Sequence, residues 1–233
     1  MVKILYLGLY ILVIAVIKLI FNVNFKEAKK LEKNENLQKI TDRFPDNTEI
    51  AKEMLEIIGN KSVKIEEQKN TKTSLYIALT NKIIISDLKD NYGRIGTIAH
   101  ECMHSVQDRV VLLFNFFYSN FVLVYWMFSI ILIIFNVFTN LFLQISILSL
   151  LFFIQVIIRI YLEIDAMLKS KYLSSEYIEK KDICTKEEKK QLIDEYEKIN
   201  NMGIRFYIYI LMKSSLIKII ITIIISLIKE KLC

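Results

Sequence analysis

The apolar positions of the chain gather into four long runs, with the charged positions gathered between them. The first run, Ile4 to Val23, is interrupted only by Lys18. At 1.5 Å of rise per residue, about 20 residues cross the hydrocarbon core of a bilayer, so this run predicts a membrane helix in which Lys18 snorkels. Phe21-Asn22-Val23-Asn24-Phe25 follows it. That stretch lacks the small residues of a signal-peptide cleavage site, so the helix is expected to stay attached. No charged residue stands between Arg109 and Arg159. That length fits two spans and a tight turn, placed at Asn136-Val-Phe-Thr-Asn140 where polar residues cluster. The last run, Gly203 to Ile228, carries Arg205, Lys213 and Lys218, and it reads as a fourth span or as a helix lying in the interface.

The stretches between the runs have other periods. Pro45-Asp46-Asn47-Thr48 offers a helix N-cap; Ala51, Leu55 and Ile58 then recur at helical spacing with Met54 beside them, and Gly59 is placed to end that helix. Val63 and Ile65 alternate with Lys64 and Glu66, Leu75, Ile77 and Leu79 with Tyr76 and Ala78, and Ile83-Ile84-Ile85 follows Thr80-Asn81-Lys82. These predict a small antiparallel sheet. A helix is expected from about Asn91 through Ala99. Thr185-Lys-Glu-Glu188 is a capping box, and Leu192, Tyr196 and Ile199 give the next helix an apolar face that packs on the earlier segment.

The expected organisation is therefore an anchor at 1–23, an α+β segment at 24–109, a helical hairpin at 110–162, a helical segment at 163–202 and a last span or interfacial helix at 203–233. The fold class is mainly α: a membrane protein of about four transmembrane helices with a small α+β part. Composition agrees, since 54% of the 233 residues are hydrophobic while 24% are charged, a combination that requires segregation. The formal net charge of +6 is spread without a basic block, so it suits an anionic bilayer surface and not nucleic acid. Sixteen lysines and arginines flank the runs on the side of 24–109 and 163–202, against three on the other. Positive residues stay inside, so those two segments are expected in the cytoplasm. Cys102, Cys184 and Cys233 form no short-spaced pair and predict neither a disulfide framework nor a metal knuckle.

The chemistry concentrates in His100-Glu101-Cys102-Met103-His104. On a helix, positions i and i+4 share a face, so two imidazoles can hold one Zn²⁺ and the intervening glutamate can act on a water beside it. These are the only two histidines of the chain. Chance placement would produce this arrangement about once in one to two thousand such chains. Cys102 points off that face. A catalytic zinc needs a third protein ligand and an open position. With no third histidine, the ligand is a carboxylate or a cysteine. Glu163 is the first carboxylate met as the uncharged hairpin returns, followed by Asp165; its other reading is an interfacial acid paired with Arg159. Two straight helices would miss this meeting by nine residues, or ~13 Å. The motif helix must therefore bend between Arg109 and Ser119, or the turn must lie earlier.

Ala99-His-Glu-Cys-Met-His-Ser-Val-Gln107, the uncharged hairpin and then Glu163-Ile-Asp-Ala166 together resemble the bacterial membrane-bound neutral zinc metallopeptidases of the YugP type, with their AHExxHAxQ helix and later E-x-D-A motif. The resemblance implies one zinc held by His100, His104 and Glu163, Glu101 as general base, and Asp165 orienting a ligating imidazole. It also implies a peptidase acting at the membrane on protein or peptide substrates. Met103 stands where the family usually has Gly, and Met167-Leu168-Lys169 where it has Ser-Arg-Arg. Tyr172 and Tyr177 are candidate oxyanion donors by their nearness to Glu163, and the sheet edge at 75–85 is a candidate substrate rail.

Overall fold

The computed structural model describes residues 2–26, 34–69, 71, 73–88, 91–137 and 140–232. In chain order these form α1 (Val2–Ile20), α2 (Glu35–Thr41), α3 (Asn47–Ile57), β1 (Lys64–Gln68), β2 (Leu75–Ile77), β3 (Lys82–Ser86), α4 (Arg94–His104), α5 (Arg109–Ile134), α6 (Leu141–Lys180) and α7 (Lys186–Leu232). The protein is mainly helical with one small sheet, and α1, α5, α6 and α7 are long and apolar enough to cross a membrane. The chain divides into two units: residues 24–113 with 162–204, and residues 1–23 with 114–161 and 205–233. Lys29, Lys30 and Lys33 of the charge count, part of the expected turn, and Cys233 lie outside the described residues.

In the first unit α3 buries Ile50, Ala51, Met54 and Leu55, α4 buries Ile95, Ile98, Ala99 and Cys102, and Ile83 and Ile85 come in from β3. Ala166, Leu173, Tyr177 and Ile178 of α6 and Leu192 and Tyr196 of α7 complete this core. Asp46 is the N-cap of α3 by backbone position but makes no side-chain cap bond. Gly59 ends the helix in the left-handed region at φ 74°, a conformation that costs glycine nothing. The chain then turns so that Asn60 N–H bonds Leu55 O at 2.8 Å. The sheet corrects the expected pairing. Its order is β1-β3-β2, with β1 parallel to β3 and only β2 antiparallel. Alternation identifies strands but says nothing about which of them pair.

The buried Arg94 opens α4 and donates to the carbonyls of Thr41 (2.8 Å), Phe44 (2.9 Å) and Pro45 (2.8 Å) and to Asn47 Oδ1 (3.0 Å). One guanidinium thus satisfies the turn between α2 and α3 and pins it to the start of α4. At the start of α7 the capping box is present: Glu188 N–H donates to Thr185 Oγ1 (3.2 Å) and Thr185 N–H to Glu188 Oε2 (2.9 Å).

In the second unit Val122, Ile145, Leu148, Phe152, Ile219 and Ile223 form one cluster, and Ile17, Val23 and Tyr209 another. The buried Gln144 donates to Ser129 O at 3.0 Å, and Lys3 pairs with Glu230 at 2.7 Å. Helices α6 and α7 run unbroken through 162/163 and 202/203, where apolar run and charged segment meet. Gly203 costs a helix only about 1 kcal/mol and does not stop it.

Candidate metal centre

Helix α4 is amphipathic, and the face that carries His104 and Glu101 is turned inward. The helix ends at His104, where Ser105 Oγ donates to Cys102 O at 2.6 Å. Asn60, just past the Gly59 turn, donates its amide to Ser105 O (2.9 Å) and Ser105 Oγ (3.1 Å), tying the end of α3 to the end of α4. Asp108 Oδ1 then accepts from Val110 N (2.7 Å) and Val111 N (3.3 Å) and caps α5. The break that the mismatch demanded therefore lies at 105–108, ahead of the 109–119 segment where it was expected. Asp108 supplies the reason, since its cap starts a new helix at Arg109.

The break lets α6 bring Glu163 to the two histidines. His100 Nε2 and His104 Nε2 are 3.1 Å apart, and Glu163 Oε2 lies 3.3 Å from the first and 3.7 Å from the second. Three ligands of a tetrahedral ion at 2.0–2.1 Å stand about 3.3–3.4 Å from one another. The three separations bracket that value. Two imidazole nitrogens facing each other at 3.1 Å would set lone pair against lone pair unless a proton or a cation sits between them, so the donor set fits a divalent metal. These atoms form the one His/Cys/Asp/Glu group among the described residues that could hold an ion. Arg159 forms no ion pair with Glu163 among the described residues and donates instead to Tyr207 Oη at 3.4 Å.

Charge follows the geometry. Burial would raise the Glu163 carboxyl, but the two imidazoles facing it hold it far below the ordinary carboxylate range. Burial would lower His104, and the Glu163 carboxylate outweighs that and raises it. Glu101 is raised, chiefly by burial, which leaves it a better proton acceptor than an exposed glutamate. The backbone of Tyr76 in β2 works weakly against that rise.

Asp165 does not stand directly on an imidazole. Its partners are Lys169 at 2.7 Å and the amide of Gln107 at 2.9 Å. Gln107 is the residue between. Its Oε1 lies 2.8 Å from His104 Nδ1, and its Nε2 also donates to Leu162 O at 2.6 Å. An amide oxygen only accepts, so His104 Nδ1 carries a proton and Nε2 is the nitrogen that can offer a lone pair to a metal. Gln107 belongs to the sequence motif, but its task was not assigned from sequence; the signal was its position three residues after the second histidine. The Tyr177 hydroxyl is engaged elsewhere, donating to Glu53 at 2.6 Å within the core. Tyr172 is exposed beside Lys171.

A family model described as "Putative neutral zinc metallopeptidase" matches residues 8–194. The chain belongs to this family. The match takes in the whole first unit except its last ten residues, so α4, its break and the Glu163 turn of α6 all fall within the family's region. No curated protein and no solved structure matches the chain.

Proposed function

We propose that this chain is a membrane-bound zinc metallopeptidase that holds one Zn²⁺ through His100, His104 and Glu163 and hydrolyses peptide bonds near the cytoplasmic membrane surface. The observation that carries the reading is the convergence of three donor atoms at the edge lengths of a zinc tetrahedron, with the buried Glu101 on the same helix. A zinc ion there would supply Lewis-acid polarisation of the scissile carbonyl and acidify a water toward pKa ~7. Glu101 takes the proton of the attacking water and returns it to the leaving amine. Gln107 fixes the His104 tautomer, and Asp165 fixes Gln107. Because β3 is central, β2 is the free edge of this part of the sheet. The backbone of β2 at Tyr76 is near enough to act on Glu101, and a substrate strand added at β2 would lie beside the base.

The four long apolar helices support a multi-pass membrane protein, and the excess of lysines and arginines on one side supports placing residues 24–109 and 163–202 in the cytoplasm. Substrates are then membrane proteins or peptides released at the bilayer. The test is metal content of detergent-purified protein. We expect about one zinc per chain, lost in His104→Ala and Glu163→Gln and kept in Glu101→Gln, with peptide hydrolysis falling by about 10²-fold or more in Glu101→Gln. A wild-type chain that takes up no zinc after reconstitution would sink the reading. Zinc kept by Glu163→Gln would move the third ligand, with Asp165 next to test.

A further inference from the structure

The second unit carries positive charge that its own sequence cannot balance. Residues 1–23, 114–161 and 205–233 hold eight lysines and arginines and a single acid, Glu230, and Glu230 is taken by Lys3 at 2.7 Å. Lys218 is the most deeply set of these cations. It lies ten residues before the end of the apolar run at Ile228 and thirteen after Arg205. About 15 Å of helix or more therefore separates its Cα from either end. Its Nζ stands 5.9 Å from the ring centroid of Trp126 on α5 and 5.3 Å from that of Phe152 on α6. Trp126 is fixed to the helix whose ammonium it flanks, its Nε1 donating to Lys218 O (3.2 Å) and Thr222 Oγ1 (3.1 Å). Among the described residues Lys218 makes no ion pair.

Ring faces offer an ammonium only partial negative charge. A cation at mid-membrane needs an anion. Lys218 is partly exposed, so an anion can reach it. A lipid phosphate or free phosphate sits at headgroup level, roughly half a span away. A second copy of this chain has no acid to offer at that depth, because residues 1–23, 114–161 and 205–229 contain none. A carboxylate borne on another protein's membrane helix meets both the depth and the sign.

We infer that Lys218, flanked by Trp126 and Phe152, is the docking point for a transmembrane helix of another protein that carries an aspartate or glutamate near mid-membrane. This inference rests on the reading of α5, α6 and α7 as spans, and the experiment separates the two. The full chain is reconstituted into phosphatidylcholine vesicles, and flotation and alkaline extraction establish insertion. Binding of labelled Leu/Ala model transmembrane helices is then followed by energy transfer, with Glu, Gln, Lys or Leu at the central position. We expect the Glu helix to bind about tenfold more tightly than the Leu helix. Lys218→Met should abolish that preference and Lys218→Arg should keep it, which separates loss of charge from loss of packing. Equal binding of the Glu and Leu helices, or a preference that survives Lys218→Met, overturns the docking point. A preference abolished by adding phosphatidylglycerol overturns it in favour of a lipid anion. Failure to insert overturns the membrane reading itself.

Discussion

At the scale of single residues, the candidate centre depends on where one proton sits. Gln107 Oε1 accepts from His104 Nδ1, and the Gln107 amide is held by Asp165 and Leu162 O. Gln107→Leu removes that acceptor while nearly keeping the volume. Zinc affinity is expected to fall about 10–100-fold, read by competition with a chromophoric chelator. Asp165→Asn should cost less, because it disturbs His104 only through Gln107. Equal affinity in Gln107→Leu and wild type would show the relay to be idle. The histidine pair and Glu101 were plain in the sequence because the chain has no other imidazole, and Glu163 because it is the first carboxylate after the hairpin. The route from Asp165 to the imidazole was not plain. Spacing locates residues on a helix face but does not tell which side chain fills the gap between two helices.

At the scale of elements, the decisive event is the stop at His104 and restart at Arg109. Helix-length arithmetic requires a break, but its place is decided by the cap of Asp108, which precedes the apolar run beginning at Val110. The sheet shows the same limit, since local alternation cannot reveal that β3 inserts between β1 and β2. A second tie between elements is open to a pH test. Tyr177 and Lys181 of the α6 end bond the Glu53 carboxylate of α3. Burial would raise Glu53, but these two hydrogen bonds outweigh it and hold the carboxyl below its ordinary range. A carboxyl lowered on folding stabilises the fold above its unfolded pKa of about 4.3, and that stabilisation is lost as pH falls through the lower folded value. Acid titration of the tertiary fluorescence signal should therefore show Glu53→Gln already weakened at neutral pH and flatter than wild type below about pH 4.3. Parallel curves for the two proteins would remove the tie from the account.

At the scale of the whole molecule, the apolar runs correctly announced four spanning-length helices. They did not announce that α6 and α7 continue without interruption from apolar run into charged segment. Helical propensity carries across such a change of composition because no proline stands at either boundary and Gly203 alone is too weak to stop a helix. The thiols offer a check on compartment and packing together. Cys102 is buried in the first unit's core, and burial pushes its thiol far above the ordinary range, whereas Cys184 is partly open. In Cys233→Ser, a membrane-impermeant maleimide should label Cys184 only after the cell membrane is opened, and Cys102 only after denaturation. Labelling of Cys184 on intact cells would reverse the topology that the lysines and arginines imply.

The two histidines facing each other at Nε2 give the molecule a built-in reporter. Because every imidazole of the chain stands there, nitrogen-15 histidine labelling yields a magnetic-resonance spectrum that belongs wholly to this centre, free of background from the remaining residues. Metal titration, tautomer assignment and encounter with an inhibitor can then be followed on four ring nitrogens in intact proteoliposomes, before any substrate has been identified.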